Sequence, residues 1–157
     1  MTQIIYALYN GVLTLALPFV AIFLAFKKRH RALLRRFWPN APDLPDRPIW
    51  IHACSVGEVN TARPILRAMR ERWPHIPLLL TTSTVSGRDL AASFPDNIPL
   101  AWCPFDHPAS VARFLVEVRP RALVLIETEL WPNLVRMTAR RGIAVGHLLE
   151  CSAQVSG

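Results

Sequence analysis

The chain has 157 residues, which suits one domain with a hydrophobic core. Hydrophobic residues make up 52% of it and the mean hydropathy is +0.25, values that are high for a soluble domain and indicate a membrane segment. Of the formal charge of +7, six positive charges come from residues 27–36. A nucleic-acid-binding domain spreads its basic residues over a folded face, so this clustering argues against nucleic acid as a partner.

The first 36 residues form the predicted membrane anchor with its basic flank. Residues 4–26 contain no charged side chain and would extend roughly 34 Å as a helix, against a hydrocarbon core of roughly 30 Å. The length fits a single transmembrane span, and the basic residues that follow it favour a retained anchor over a cleaved signal peptide and place the rest of the chain in the cytoplasm. They would also attract anionic membrane lipids. The alternative is a helix that lies in the membrane interface or packs into a larger protein.

Residues 37–48 are rich in proline and predict a linker to a domain over residues 49–157. Five short apolar runs follow, at 49–54, 77–83, 99–105, 122–127 and 143–149, with helical patterns between them. Alternating strands and helices predict an α/β fold with a Rossmann-like parallel sheet. Three cysteines without a CxxC pair indicate neither a disulfide framework nor a zinc site and favour a reducing compartment.

Polar motifs follow the ends of four predicted strands. They read "SVGE", "TTSTVSG", "PFD" and "ETELWPN" in chain order. Ligands of open parallel sheets bind beyond the carboxyl ends of the strands, so these four motifs predict one binding cleft. The sequence contains neither GxGxxG nor GxxxxGK[ST], so it lacks the phosphate-binding loops of dinucleotide-binding and P-loop proteins.

Glu58 of the first motif has two interpretations. Serine followed by glutamate three residues later is the capping-box pattern, in which Ser55 caps a helix and Glu58 accepts a backbone N–H. A helix beginning at Ser55 would place Pro64 in its interior, at a cost of about 3 kcal/mol. We therefore expect the helix to begin near Asn60 or Thr61, which leaves Glu58 in a loop that faces the cleft, available as a general base.

Three neighbours of these motifs have structural interpretations. His52 lies on a predicted strand and is expected to be a core histidine. Asp106 is expected to cap the helix that begins near Pro108. Nothing in the sequence near Cys54 predicts a lowered thiol pKa, so we interpret it as a packing residue.

The four motifs together resemble the N-terminal half of 3-deoxy-D-manno-octulosonic acid (Kdo) transferases, from the apolar N-terminus to about Val145. The resemblance implies a GT-B architecture, in which an N-terminal Rossmann-like domain binds the lipid acceptor and a C-terminal one binds CMP-Kdo. It implies inverting transfer of Kdo to a lipid A precursor (lipid IVA) in lipopolysaccharide synthesis at the inner membrane. It implies neither a catalytic metal nor a cofactor besides the sugar nucleotide.

The same resemblance assigns the site residues. The family's general base matches Glu58, which would take the proton of the acceptor hydroxyl. Helix N-termini can hold phosphate or carboxylate groups, and the two glutamates of "ETE" would bond sugar hydroxyls or support Glu58. The predicted substrate-binding residues are Ser55, Gly57, Thr82, Thr84, Gly87, Asp106, Glu127 and Glu129.

The sequence departs from the family pattern near Gly146. The family continues into a second domain, whereas this sequence reads "LLECSAQVSG". We therefore expect a truncated chain that carries only the acceptor-side half and is inactive alone. The alternatives are a non-catalytic lipid-binding half or split subunit that needs a separate donor domain, and a fragment without function.

Overall fold

A computed structural model of the chain describes residues 2–38, 46–95, 97–126 and 131–148. Helix α1 spans Thr2–Phe26 and is followed by a basic 3₁₀ helix at Lys28–Arg36. The strands are β1 (Ile49–His52), β2 (Leu78–Thr82), β3 (Leu100–Trp102), β4 (Ala122–Ile126) and β5 (Ala144–Leu148). The remaining helices are α2 (Val56–Arg72), α3 (Val85–Ala92), α4 (Pro108–Val118) and α5 (Pro132–Arg140). All five predicted strands are confirmed.

The five strands form one parallel sheet in the order β3-β2-β1-β4-β5. Ile49 of β1 pairs with Leu78 on one side and with Ala122 on the other, so β1 is the central strand. The chain winds from β1 outward to β3 and then crosses to β4 on the opposite side. The carboxyl ends of β1 and β4 therefore meet at the topological switch point, the position where open α/β sheets bind ligands. The predicted α/β fold is confirmed.

Hydrophobic side chains fill both faces of the sheet, as expected for a parallel sheet with helices on both sides. On one face, Trp50, Leu123 and Leu125 pack with residues of α4 and α5. On the other face, Ile51 and Leu80 pack with residues of α2 and α3. The alternation of Trp50 and Ile51 along β1 thus divides the core into two layers.

Helix α2 begins earlier than predicted. Ser55 is its N-cap, and Pro64 lies in the helix interior rather than in its first turn. The expectation that the helix starts near Asn60 or Thr61 is therefore wrong. Hydrogen bonds around Ser55 and four buried side chains stabilise the first turns, and they outweigh the proline penalty. Asn60 and Pro64 are both exposed, so the carbonyl that loses its helical donor lies on the solvent side.

Helix α1 is long and apolar enough to cross a membrane over Gln3–Phe26, with a mean hydropathy of 2.0 in an 18-residue window of which 6% is buried. One face of the helix nevertheless contacts the α/β domain through polar groups. The Tyr9 hydroxyl donates to Asp106 Oδ2 at 2.7 Å, and Asn133 Nδ2 donates to Asn10 Oδ1 at 2.8 Å. Further contacts join Tyr6 to Asn133, Thr14 to His107 and Gln3 to Arg136.

The other face of α1 is exposed and apolar. Its side chains include Ile5, Leu8, Val12, Leu15, Phe19 and Phe23, each with more than half of its surface exposed. Leu24 is buried, and the 3₁₀ helix folds back beside this end of α1. The helix is therefore amphipathic, with a polar face toward the domain and an apolar face outward.

Candidate functional site

The predicted site residues that the structure describes all lie at the carboxyl edge of the sheet. Ser55, Gly57 and Glu58 follow β1, Thr82 ends β2, and Asp106 follows β3. Thr84 and Gly87 belong to the N-terminal turn of α3. The predicted convergence of the motifs on one edge is confirmed for these three strands. Glu127 and Glu129 lie outside the described residues, and their predicted role stays a prediction.

The first turn of α2 holds the Glu58 carboxylate in place. Cys54 N donates to Glu58 Oε2 at 2.7 Å, and the Ser55 hydroxyl donates to Oε1 at 3.0 Å. Ser55 Oγ also accepts the Glu58 N–H at 3.4 Å. Glu58 is only 6% exposed, so the expectation that it stands in a loop facing the cleft is wrong. The capping interaction exists, and it fixes the carboxylate at the helix N-terminus.

Capping does not exhaust the hydrogen-bonding capacity of Glu58. An ionised carboxylate offers about four lone-pair directions, and the two bonds from Cys54 and Ser55 use one on each oxygen. Val56 and Gly57, which precede Glu58 in the first turn of α2, are exposed. A Cβ built on Gly57 would meet only Ser55 Oγ, at 3.8 Å, which is an ordinary contact. Packing among the described residues therefore does not require glycine at position 57. The absence of a side chain there leaves the approach to this turn open.

The N-terminal turn of α3 packs directly against that of α2. The Thr84 hydroxyl donates to the Cys54 carbonyl at 3.0 Å and accepts the Gly87 N–H at 3.1 Å, so Thr84 caps α3. A Cβ on Gly87 would approach Thr84 Oγ1 to 2.9 Å and the Cys54 oxygen to 3.2 Å. Close packing therefore requires glycine at 87, and two helix N-termini with positive partial charge lie side by side.

Thr82 differs from its neighbours because it is fully buried. Its hydroxyl has no hydrogen-bond partner in the described part of the chain. Its backbone carbonyl accepts the Cys103 N–H at 3.0 Å, which continues the sheet beyond β3. The geometry gives Thr82 a place below the site rather than on its surface.

Asp106 caps a different helix from the one predicted. The N-cap of α4 is His107, whose Nδ1 accepts the Ala109 N–H. The Asp106 carboxylate instead accepts N–H groups of α5, from Asn133 at 3.0 Å and from Leu134 at 2.7 Å. The prediction for α4 is therefore wrong, because the tertiary fold brings the unbonded donors of α5 to this carboxylate. Burial raises the pKa of Asp106, although its hydrogen bonds act in the opposite direction.

Arg36 is a site residue that the sequence interpretation missed. It was assigned to the membrane flank, yet it is 6% exposed and reaches the carboxyl edge of β2 and β3. Its Nε donates to the Cys103 carbonyl at 2.8 Å, and its guanidinium lies 4.4 Å from the centre of the Phe105 ring. Its position at the end of the basic run gave no signal that distinguished it from the exposed neighbours.

His52 and Cys54 have the structural roles expected of them. His52 is 1% exposed, and its Nδ1 lies 3.0 Å from Thr81 Oγ1 and 3.1 Å from the Thr81 carbonyl. Cys54 is half-buried and contributes backbone groups to the helix turns at the site. Within the described ranges no three His, Cys, Asp or Glu side chains are grouped for a metal ion.

A cavity of about 260 Å³ lies at the amino edge of the sheet, between residues near Pro74 and Pro99. None of the predicted site residues lines it. The described residues of the motifs and this cavity lie at opposite edges of the sheet.

Comparison with known proteins gives a consistent result. Residues 25–149 match the family described as 3-deoxy-D-manno-octulosonic-acid transferase (kdotransferase). The chain is 35% identical to a 3-deoxy-D-manno-octulosonic acid transferase of Haemophilus influenzae, over 86% of this chain and 34% of that protein. It is 36% identical to the Bordetella pertussis transferase, over 85% of this chain and 35% of that protein. The chain thus spans about a third of the length of these relatives.

Proposed function

Because the chain belongs to the family of 3-deoxy-D-manno-octulosonic acid transferases, we propose that it provides the acceptor side of Kdo transfer. The substrates would be CMP-Kdo as donor and a lipid A precursor such as lipid IVA as acceptor, in lipopolysaccharide synthesis. The donor nucleotide would be bound by groups outside these 157 residues, since the match covers about a third of the relatives. The single observation that carries the proposal is the Glu58 carboxylate, held at two adjoining helix N-termini at the switch point of the sheet.

Glu58 is the proposed general base. A sugar hydroxyl is a weak nucleophile, and a carboxylate that accepts its proton while the new C–O bond forms lowers the barrier. The oxygen becomes bonded to the Kdo anomeric carbon, CMP leaves with the electrons of the broken bond, and the proton goes to Glu58. The bonds from Cys54 and Ser55 orient the carboxylate beforehand, which supports this role because reorientation costs no free energy during the reaction.

The acceptor hydroxyl would approach Glu58 over Gly57. Both Gly57 and Val56 are exposed, and the missing side chain at 57 leaves room beside the carboxylate. Ser55 would help to position the hydroxyl, and Glu127 and Glu129 would bond sugar hydroxyls across the switch point. Asp106 would act mainly by holding the start of α5, with substrate contact a further proposed role.

The chain is also proposed to attach to the cytoplasmic side of the inner membrane through α1. The polar contacts of α1 with Asp106, His107 and Asn133 support a helix that lies along the membrane surface. A helix crossing the bilayer perpendicularly would carry Gln3 and Tyr6 to the far side and would break these contacts. In the surface position, the outward apolar face enters the lipid and the polar face stays with the domain.

The test is Kdo transfer by this chain joined to the donor half of the Haemophilus influenzae relative. The fusion should transfer Kdo from CMP-Kdo to the lipid A precursor, whereas the 157-residue chain alone should not. A fusion that binds the lipid precursor but transfers nothing would favour a non-catalytic lipid-binding half. A fusion that neither binds nor transfers, although folded, would overturn the proposal.

A further inference from the structure

A pocket of about 280 Å³ separates the basic 3₁₀ helix from the N-terminus of α3. Arg29, His30 and Leu33 line one side, and residues 83–86 line the other. Thr84 caps α3, so the first backbone N–H groups of this eight-residue helix begin at the pocket. Such groups carry positive partial charge and attract anions.

Unpartnered polar atoms surround this pocket. Ser83 is only 5% exposed and lines the pocket, yet its Oγ has no hydrogen-bond partner among the described residues. His30 also lines the pocket, and its Nδ1 has no hydrogen-bond partner among the described residues. A buried donor or acceptor without a partner is unfavourable, because it has lost its hydrogen bonds to water. The Ser83 hydroxyl can donate, as can the Arg29 guanidinium and the first N–H groups of α3, so a ligand rich in acceptor oxygens would satisfy them.

The charged side chains of the two helices beside the pocket are mostly basic, with Asp89 of α3 as the one acidic residue. In the part of the chain that the structure describes, Arg29, Arg35 and Arg88 form no ion pair with a carboxylate. Arg88 stacks over the Trp102 ring at 4.9 Å, and α3 packs against the 3₁₀ helix. Burial, and then the nearby Arg35 charge, lower the pKa of Arg88, whereas the Asp89 carboxylate raises it.

We propose that this pocket binds a phosphomonoester group carried by a membrane lipid, through Arg29, the Ser83 hydroxyl and the N-terminus of α3. A phosphomonoester carries a charge of about −1.5 to −2 at pH 7 and three strong acceptor oxygens, which matches this set of donors. The pocket lies beside the residues that follow α1, whose apolar face is turned outward. A phosphate at the lipid surface is therefore within reach.

Two membrane lipids offer this group: the phosphorylated acceptor glycolipid and a phospholipid such as phosphatidic acid. Assigning the acceptor phosphate to the pocket rests on the proposed function. The affinity of the pocket for a phosphomonoester does not, because it depends only on the donors and charges around it.

The test measures binding of the full chain to phosphatidylcholine vesicles that contain phosphatidic acid, a phosphomonoester, or phosphatidylglycerol, a phosphodiester, at matched surface charge. Arg29→Gln should weaken binding to phosphatidic acid about tenfold, since one charge-assisted contact is lost. Ser83→Ala should weaken it about threefold without a change in charge. Lys28→Gln is the matched control, because Lys28 is an exposed neighbour of Arg29 that does not line the pocket.

If the site is specific, Arg29→Gln weakens binding to phosphatidic acid vesicles more than Lys28→Gln does. On phosphatidylglycerol vesicles the two variants should weaken binding equally. Equal losses from both variants on both lipids would overturn the proposal in favour of diffuse attraction. A second arm uses the lipid A precursor in phosphatidylcholine vesicles, with and without its phosphates. A larger Arg29 effect on the phosphorylated precursor than on phosphatidic acid assigns the pocket to the acceptor, and the reverse assigns it to phospholipid. None of these experiments measures Kdo transfer, so their results can be interpreted even if the proposed function is wrong.

Discussion

The Tyr9 hydroxyl donates a 2.7 Å hydrogen bond to Asp106 Oδ2, which joins the apolar N-terminal helix to the edge of the sheet where the motifs meet. The same carboxylate accepts the Asn133 and Leu134 N–H groups at the start of α5. One buried side chain therefore connects α1, the loop after β3 and the start of α5.

The first prediction concerns the stability that Asp106 provides. Asp106→Ala leaves two buried N–H groups of α5 without an acceptor and should lower the free energy of unfolding by about 1–3 kcal/mol. His107→Ala is the control, because the two hydrogen bonds of the His107 ring, to the Ala109 N–H and to Thr14, are both long, at 3.3 Å, and exposed. Its expected loss is about 0.5 kcal/mol. Denaturant unfolding of both variants measures the difference, and equal losses would show that Asp106 is not the main cap of α5.

The second prediction concerns pH. The folded-state pKa of Asp106 is raised by burial, so its contribution to stability is fully present below its unfolded pKa of about 3.8 and is lost as pH rises through the raised value. Asp106→Asn does not titrate. The stability of the wild type relative to Asp106→Asn should therefore fall as pH increases from about 4 and then level off. Urea unfolding at a series of pH values tests this, and a difference that grows with pH would contradict it.

The third prediction concerns the position of α1. If the helix lies along the membrane surface, residue 3 is on the same side of the membrane as the α/β domain. In a chain whose three cysteines are replaced by serine, Gln3→Cys and Lys28→Cys should then react from the same side with a membrane-impermeant maleimide. Labelling in sealed inside-out and right-side-out vesicles distinguishes the two sides. Reaction of the two positions from opposite sides would establish a helix that spans the bilayer.

The fourth prediction compares two glycines in neighbouring helix turns. Gly57→Ala meets no close contact and improves helix propensity, so it should raise the free energy of unfolding by about 0.5–1 kcal/mol. Gly87→Ala places a Cβ 2.9 Å from Thr84 Oγ1 and should lower it by about 1–3 kcal/mol.

Activity then tests whether Gly57 keeps the approach to Glu58 open. In the fusion with a donor half, the more stable Gly57→Ala variant should transfer Kdo more slowly, because its methyl group obstructs the approach to Glu58. Unchanged turnover by Gly57→Ala would show that the acceptor reaches Glu58 by another route.

The sequence predicted the sheet well because its signals are local. Continuous apolar runs, such as those around Ile51 and around Leu80, indicate strands buried on both faces. The polar motifs follow these runs directly. The sequence does not predict where α2 begins. The cost of a proline at position 64 is visible in the sequence, whereas the hydrogen bonds around Glu58 that offset this cost are not. A single-residue penalty could not reveal that tertiary contacts outweigh it.

The remaining errors concern contacts between distant segments. The α5 N–H groups that donate to Asp106 belong to residues 27 and 28 positions further along the chain, and no local sequence pattern connects these residues with Asp106. Arg36 looks like its exposed neighbours until the fold places it beside Phe105. The polar face of α1 did leave a signal, since Tyr6, Asn10 and Thr14 recur every four residues in an otherwise apolar run.

The central claim is that Glu58 is a general base whose carboxylate is oriented by capping interactions. The most direct test is the rate of Kdo transfer per folded molecule, together with the melting temperature, for Glu58→Gln in the fusion with a donor half. Glu71→Gln is the control, since Glu71 lies in the same helix and is exposed.

Glutamine keeps one acceptor oxygen but cannot take up the proton, so the rate should fall by about 10² to 10⁴ with little change in acceptor binding. The melting temperature should fall modestly, because a cap contributes about 0.5–2 kcal/mol. The Glu71→Gln variant should retain both its rate and its melting temperature. A lowered melting temperature with a normal rate in Glu58→Gln would contradict the account and leave Glu58 as a helix cap.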